Sequence, residues 1–130
     1  MSRINSRNKG ARAELQAAKW LKLKFKLENE PQRNLEQVRS GGHDLNGFPP
    51  FCIEVKHCET LALRSWWIQA VASVTRDYSV PVVMAKQNRK PWIFLISARE
   101  IGLERGFIQL QENEFIKWIN LHLGAQDEEI

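Results

Sequence analysis

Hydrophobic positions recur with two periods along this chain, and each period predicts an element. Ala11, Leu15, Ala18, Leu21 and Phe25 fall at spacings of three and four, which predicts a helix from about Lys9 to Leu27. No Gly or Pro interrupts it between Ala11 and Glu30, and Glu30-Pro31 breaks it. Glu14 lies on or beside the apolar stripe, an unexpected place for a surface acid. Asn34 to Arg39 reads as a strand of mixed polarity. A Gly41-Gly42 turn, a short extended piece carrying Asp44, and a loop pinned by Gly47, Pro49 and Pro50 follow. The period then becomes two. Phe51, Ile53 and Val55 share one face of a strand, which can be buried. Cys52, Glu54 and Lys56 share the other, where a solvated charged pair is the plain reading and Cys52 is read as a small wall of a site.

Leu63 to Tyr78 is predicted as a second helix with Trp67, Ala70, Val71 and Val74 inward, Trp66 and Arg76 displaced, and Gln69 beside the stripe. Val80–Lys86 reads as a buried strand, Gln87–Pro91 as a turn with Arg89 and Lys90, and Trp92–Ile96 as a central strand. Phe107–Leu110 fits an edge strand. Glu112–Leu123 closes the order as an amphipathic helix with Phe115, Ile116, Ile119 and Leu123 inward, ended by Gly124. Residues 1–8 read as a mobile basic arm. Helices interleaved with strands in this order predict one α/β domain over residues 1–130, a central mixed β-sheet flanked by helices.

Composition narrows the class. A 43% apolar share with five tryptophans predicts a folded chain. Net charge is +4, and the excess is concentrated at the amino end, where eight bases precede residue 27 against the single acid Glu14. A nucleic-acid partner and a solvated helix face both account for that. Cys52 and Cys58 are too few for a disulfide framework, and with His57 they lack structural-zinc spacing. The amino terminus has charge without an apolar core, and no apolar run approaches the roughly 20 residues that span a bilayer. The expectation is a reduced, soluble, cytoplasmic protein with no membrane partner.

The chemistry-bearing stretch is RSGGHDLNGFPPFCIEVKHCE, residues 39–59. If its loop folds back as a hairpin, Asp44 reaches Glu54, ten residues on. Two converging carboxylates repel unless a cation lies between them, and Mg²⁺ suits oxygen ligands. Lys56 would then stand beside the activated water. For Glu14 two readings stand: a third carboxylate aimed at the sheet, or a helix N-terminal acid complementing the dipole, which the residues alone favour.

GARAE, RSGGHDL, FCIEVK and SVPVVMAKQNRKPWIFLI, in that order over residues 8–97, resemble the PD-(D/E)xK nuclease superfamily. More narrowly they are similar to the archaeal-type Holliday junction resolvases and their phage relatives. The resemblance implies a restriction-endonuclease-like core and a metal-dependent endonuclease resolving four-way DNA junctions as a homodimer. It implies Glu14, Asp44, Glu54 and Lys56 as catalytic residues, which reverses the dipole reading of Glu14. Asp44, Glu54, the Val55 carbonyl and Glu14 would hold Mg²⁺, with Mn²⁺ as a substitute. Lys9, Arg12, Arg39, Ser40, Gln69, Lys86 and Arg89 would contact DNA. His43 stands where the name-giving motif has proline, a departure shared by many members. Trp66, Trp67 and Trp92 are candidate interface residues if exposed. A nuclease of the same fold with a repair, recombination or restriction-like target is the alternative; a non-catalytic DNA-binding protein is a third.

Overall fold

The computed structural model describes the backbone of residues 3–35 and 43–128 and the side chains of those between 10 and 124. Its elements run α1 (Arg3–Phe25), β1 (Gln32–Arg33), β2 (Leu45–Asn46), β3 (Phe51–His57), α2 (Leu63–Ala72), β4 (Val80–Lys86), β5 (Ile93–Ser97), a 3₁₀ turn (Ala98–Ile101), β6 (Phe107–Leu110) and α3 (Glu112–Glu128). The six strands form one sheet in chain order. All neighbours are antiparallel except β3 and β4, which run parallel over seven residue pairs from Phe51↔Val80 to His57↔Lys86. A parallel pair needs a crossover, and α2 supplies it. The mixed sheet with three flanking helices is the restriction-endonuclease-like α/β architecture.

The period-two alternation of β3 decides which helix covers which face. Phe51, Ile53 and Val55, with Val82, Met84, Phe94 and Ile96, meet α1 through Ala13, Ala17, Ala18 and Leu21, and α3 through Phe115 and Ile119. Alanines along α1 let its backbone approach the sheet closely while leaving few voids. At the centre the Phe94 and Phe115 rings stack, with centroids 3.9 Å apart and planes 6° from parallel. On the opposite face, Val83, Ala85 and Leu95 are covered by Trp66, Trp67 and Ala70 of α2.

Several expectations are corrected. The described part of the expected basic arm, residues 3–8, forms the first turns of α1; no proline interrupts it, and Gly10 costs a helix only about 1 kcal/mol. Leu15 faces solvent instead of the core, with Ala13 and Ala17 in its place. At its other end α1 stops in a left-handed Lys26 (φ 51°), and the Leu27 N–H donates to the Lys22 carbonyl at 3.1 Å. The first strand is Gln32–Arg33, not Asn34–Arg39; Asn34 and Leu35 lie outside any strand, and 36–39 lie outside the described residues. The second helix ends at Ala72, six residues early. There Ser73 donates its hydroxyl to the Gln69 carbonyl (2.8 Å), and the Thr75 hydroxyl accepts the Tyr78 N–H (3.1 Å). Such side-chain bonds offer the backbone an alternative to helix. Val71 and Val74 are consequently exposed, and Trp66 is inward. Gly124 keeps helical backbone, and α3 continues to Glu128. Trp66, Trp67 and Trp92 are all buried in the monomer, so none is an exposed interface residue. No helix among the described residues is long and apolar enough to cross a membrane.

Phe115→Ala is expected to lower unfolding free energy by about 3–5 kcal/mol through loss of the central ring stack. Leu121→Ala, on the exposed side of the same helix, should stay within about 0.5 kcal/mol. Urea denaturation of the two variants measures the difference.

Candidate active site

The site forms where a two-residue strand leaves a seven-residue strand uncovered. β2 pairs with β3 at Leu45↔Ile53 only. Asp44, just before it, is tied at both backbone groups: its N–H donates to the Ile53 carbonyl (2.8 Å), and its carbonyl accepts from the Asn34 N–H (2.8 Å). Its side chain then does what the missing strand would have done. Asp44 Oδ2 accepts the Val55 N–H at 2.7 Å. A strand residue turns its N–H and C=O to the same edge, so the Val55 carbonyl points to this edge as well.

Glu54 comes to the same place from the α2 face. It is 2% exposed, and so not on a wet surface as the alternation suggests, because α2 covers it. Its Oε1 has no hydrogen-bond partner among the described residues. Burial, then the Asp44 charge, push its pKa up to about 8; a hydrogen bond of its protonated form to Asp44 adds to the rise, and the Ser73 hydroxyl and the Lys56 charge oppose it. Cys52, on the same face, is driven up to about 12 by burial and by the two carboxylates, so its thiol is a neutral wall of the site. Lys56 Nζ donates to Gln69 Oε1 of α2 at 2.7 Å.

Glu14 arrives from the α1 face, its side chain 12% exposed, and its Oε2 accepts from Arg33 Nε at 2.8 Å. Burial raises its pKa, the Arg33 hydrogen bond opposes that, and the Asp44 charge raises it further. Three carboxylates therefore lie near the end of β2, approaching from the sheet edge, the α2 face and the α1 face. Glu14 and Glu54 are each within electrostatic reach of Asp44, without the three closing into a cage.

The structure brings Glu14, Asp44, Glu54, the Val55 backbone, Lys56 and Gln69 into this neighbourhood. The other expected residues are elsewhere. Arg12 is exposed on α1, about 200° round the helix from Glu14. Lys86 extends over the Trp92 ring, 5.7 Å from its centroid, on the α1 face of the sheet, opposite to Glu54. Arg89 is exposed in the β4–β5 turn with φ 62°. Lys9 lies in α1 with its side chain outside those described, and Arg39 and Ser40 lie outside the described residues.

Two residues near the site escape a reading of the sequence. Arg33 has no local motif; its role appears only when α1 and β1 meet. Ser73 does carry a signal, four residues after Gln69 on one flank of α2, where both reach the site. His43 is buried behind Asp44, hydrogen-bonded through Nε2 to Asn46 and packed against the Tyr78 ring, with centroids 4.2 Å apart and planes tilted by 37°.

A divalent cation suits this donor set. The unpartnered Glu54 oxygen and the Asp44–Glu54 repulsion both call for positive charge, and the Val55 carbonyl adds a hard oxygen. Among the described residues no group of three His, Cys, Asp or Glu side chains converges as a cage. Two carboxylates and a carbonyl leave coordination positions to water and substrate, the pattern Mg²⁺ favours.

Comparison with protein families matches residues 5–127 to the model described as phage putative PDDEXK endonuclease. Comparisons with curated proteins and with solved structures returned no match.

The raised Glu54 pKa sets the sign of a stability change. The folded chain holds a proton that the unfolded chain releases near 4.5, so without divalent cation this contribution is present below about pH 4.5 and is lost as pH rises through about 8. Chemical denaturation in EDTA should show wild type losing stability relative to Glu54→Gln across that interval. A wild-type gain relative to the variant would contradict the placement of Glu54.

Proposed function

Because the chain belongs to the phage PDDEXK endonuclease family, a family of nucleases acting on DNA, we propose that it hydrolyses phosphodiesters in branched DNA at the Asp44–Glu54 pair, with Mg²⁺ as its ion. PD-(D/E)xK nucleases generally use divalent metals. The observation that carries this reading is the buried pair itself, with an unpartnered Glu54 oxygen and Lys56 held beside it by Gln69.

A bound Mg²⁺ supplies Lewis-acid polarisation of a phosphate oxygen and acidifies water. The chain's own residues do the rest. Asp44, fixed by the Val55 N–H, and Glu54, fixed by the cover of α2, would hold the ion at the open edge of β3. Lys56 directs its ammonium to the attacking water or to charge developing on the phosphate. Gln69 limits where that ammonium can go, because a four-carbon stem otherwise samples many rotamers.

Four-way junctions are the substrate we favour, on the resemblance of GARAE, RSGGHDL and FCIEVK to the archaeal-type resolvases. Symmetric cutting of a junction calls for two sites, hence a homodimer. With the tryptophans buried, the exposed apolar side chains Ile68, Val71 and Val74, on and just beyond α2, are the better interface candidates. The alternative is another DNA target for the same site, since junction choice depends on how two sites are spaced and not on the ion.

Cleavage of a synthetic four-way junction against linear duplex, with Mg²⁺ and with EDTA, tests both readings. Paired symmetric nicks on the junction alone, abolished by EDTA and by Asp44→Ala, are expected. Lys56→Ala should lower the single-turnover rate by about 10²–10³. Equal cutting of linear duplex would favour the alternative. Junction binding without cutting under any divalent ion would overturn the enzyme reading.

A further inference from the structure

We propose that Arg33 is a DNA-phosphate residue held in reserve by Glu14, and that incoming DNA exchanges one anion for the other. This rests on the nuclease reading and adds a residue and an order of events to it.

Arg33 sits on β1, paired with Leu45 of β2, the residue that follows Asp44. Its Nε–H reaches across to α1 and meets Glu14 Oε2 at 2.8 Å. The two partners are unequally accessible: the Arg33 side chain is 36% exposed and that of Glu14 12%. Arg33 opens on a groove of about 510 Å³, lined also by Leu15, Asn29, Gln32 and Leu35. Among the described lining residues it is the single cation, and Glu30 the single anion. Of the ion pair only Arg33 lines this groove, so a phosphate entering it meets Arg33 and not Glu14.

Unequal exposure favours an exchangeable contact over a fixed strut. Arg33, about one-third exposed, keeps part of its guanidinium open to solvent and to an incoming anion, while Glu14 is the buried partner. The Glu14 hydrogen bond uses Nε, one of five N–H donors on a guanidinium whose planar fork matches phosphate oxygens. Glu14 in turn lies within the field of Asp44. While Arg33 neutralises it, Glu14 is a poor partner for a cation. Once a phosphodiester takes Arg33, Glu14 is released into a cluster of negative charge that attracts one. Arg33 would thereby bind substrate directly and position Glu14 indirectly.

Fluorescence anisotropy with a fluorescein-labelled duplex and four-way junction, in EDTA over a series of KCl concentrations, tests this without cleavage. Arg33→Gln should lower the slope of log affinity against log salt by about 0.9, the value of one phosphate contact. Arg33→Lys, which keeps the charge, should restore the slope, and circular dichroism confirms that each variant is folded. Glu14→Gln frees Arg33 and should tighten DNA binding by about threefold or more, a gain that disappears in the Arg33→Gln background. Calcium titration calorimetry without DNA should show tighter binding for Arg33→Gln than for wild type, again only when Glu14 is present. An unchanged salt slope, or equal gains from Glu14→Gln in both backgrounds, overturns the inference and leaves the nuclease reading standing. Failure of the wild type to bind any DNA overturns both.

Discussion

When both are ionised, Asp44 and Glu54 repel one another, and much of the local structure serves to hold them together. Asp44 is fixed at its N–H, its carbonyl and its carboxylate by Ile53, Asn34 and Val55. Glu54 is held by the core: it lies on a seven-residue strand whose other face is buried under α1 and α3. Neither group can swing away to relieve the repulsion. Burial raises the local cost of charge further, since both are 8% exposed or less. Placing a protein's stability and its reactive groups in opposition in this way is expected where a cation completes the site.

The two faces of β3 divide the labour. Phe51, Ile53 and Val55 anchor the strand to the larger core, and Cys52, Glu54 and Lys56 face α2, which carries Gln69 and is capped by Ser73. α2 is thus both the crossover that allows β3 and β4 to run parallel and the support for Lys56. A helix positions the side chain it supports more exactly than a loop would. The early end of α2 belongs to the same device, because the Ser73 hydroxyl that bonds Gln69 also lies against Glu54.

What could be read from the sequence was mostly what depends on a repeating period. The alternation in FCIEVK gave the face of each side chain in β3, and the apolar runs at Val80–Lys86 and Trp92–Ile96 gave central strands. Features set by a single local bond were harder. The end of α2 depends on Ser73 and Thr75 capturing backbone groups, and α1 on a left-handed Lys26, where glycine would be the usual signal. Gly124 misled because a glycine ends a helix only when it turns left-handed. At the site, Asp44 and Glu54 could be paired from their spacing, but the burial of Glu54 could not, since an alternating strand looks the same with a solvated or a covered second face. Arg33 was out of reach for a different reason: its partner Glu14 is 19 residues away, and only the docking of α1 on the sheet edge joins them.

On the proposed reading a divalent cation would be held between Asp44 and Glu54 at the open edge of β3. Anomalous scattering from a crystal equilibrated with Mn²⁺ locates that ion without reference to activity. The expected result is a peak between the two carboxylates, within coordination distance of an oxygen from each. Manganese held elsewhere, at His57 and Cys58 for instance, with Asp44 and Glu54 empty at saturation, would contradict it.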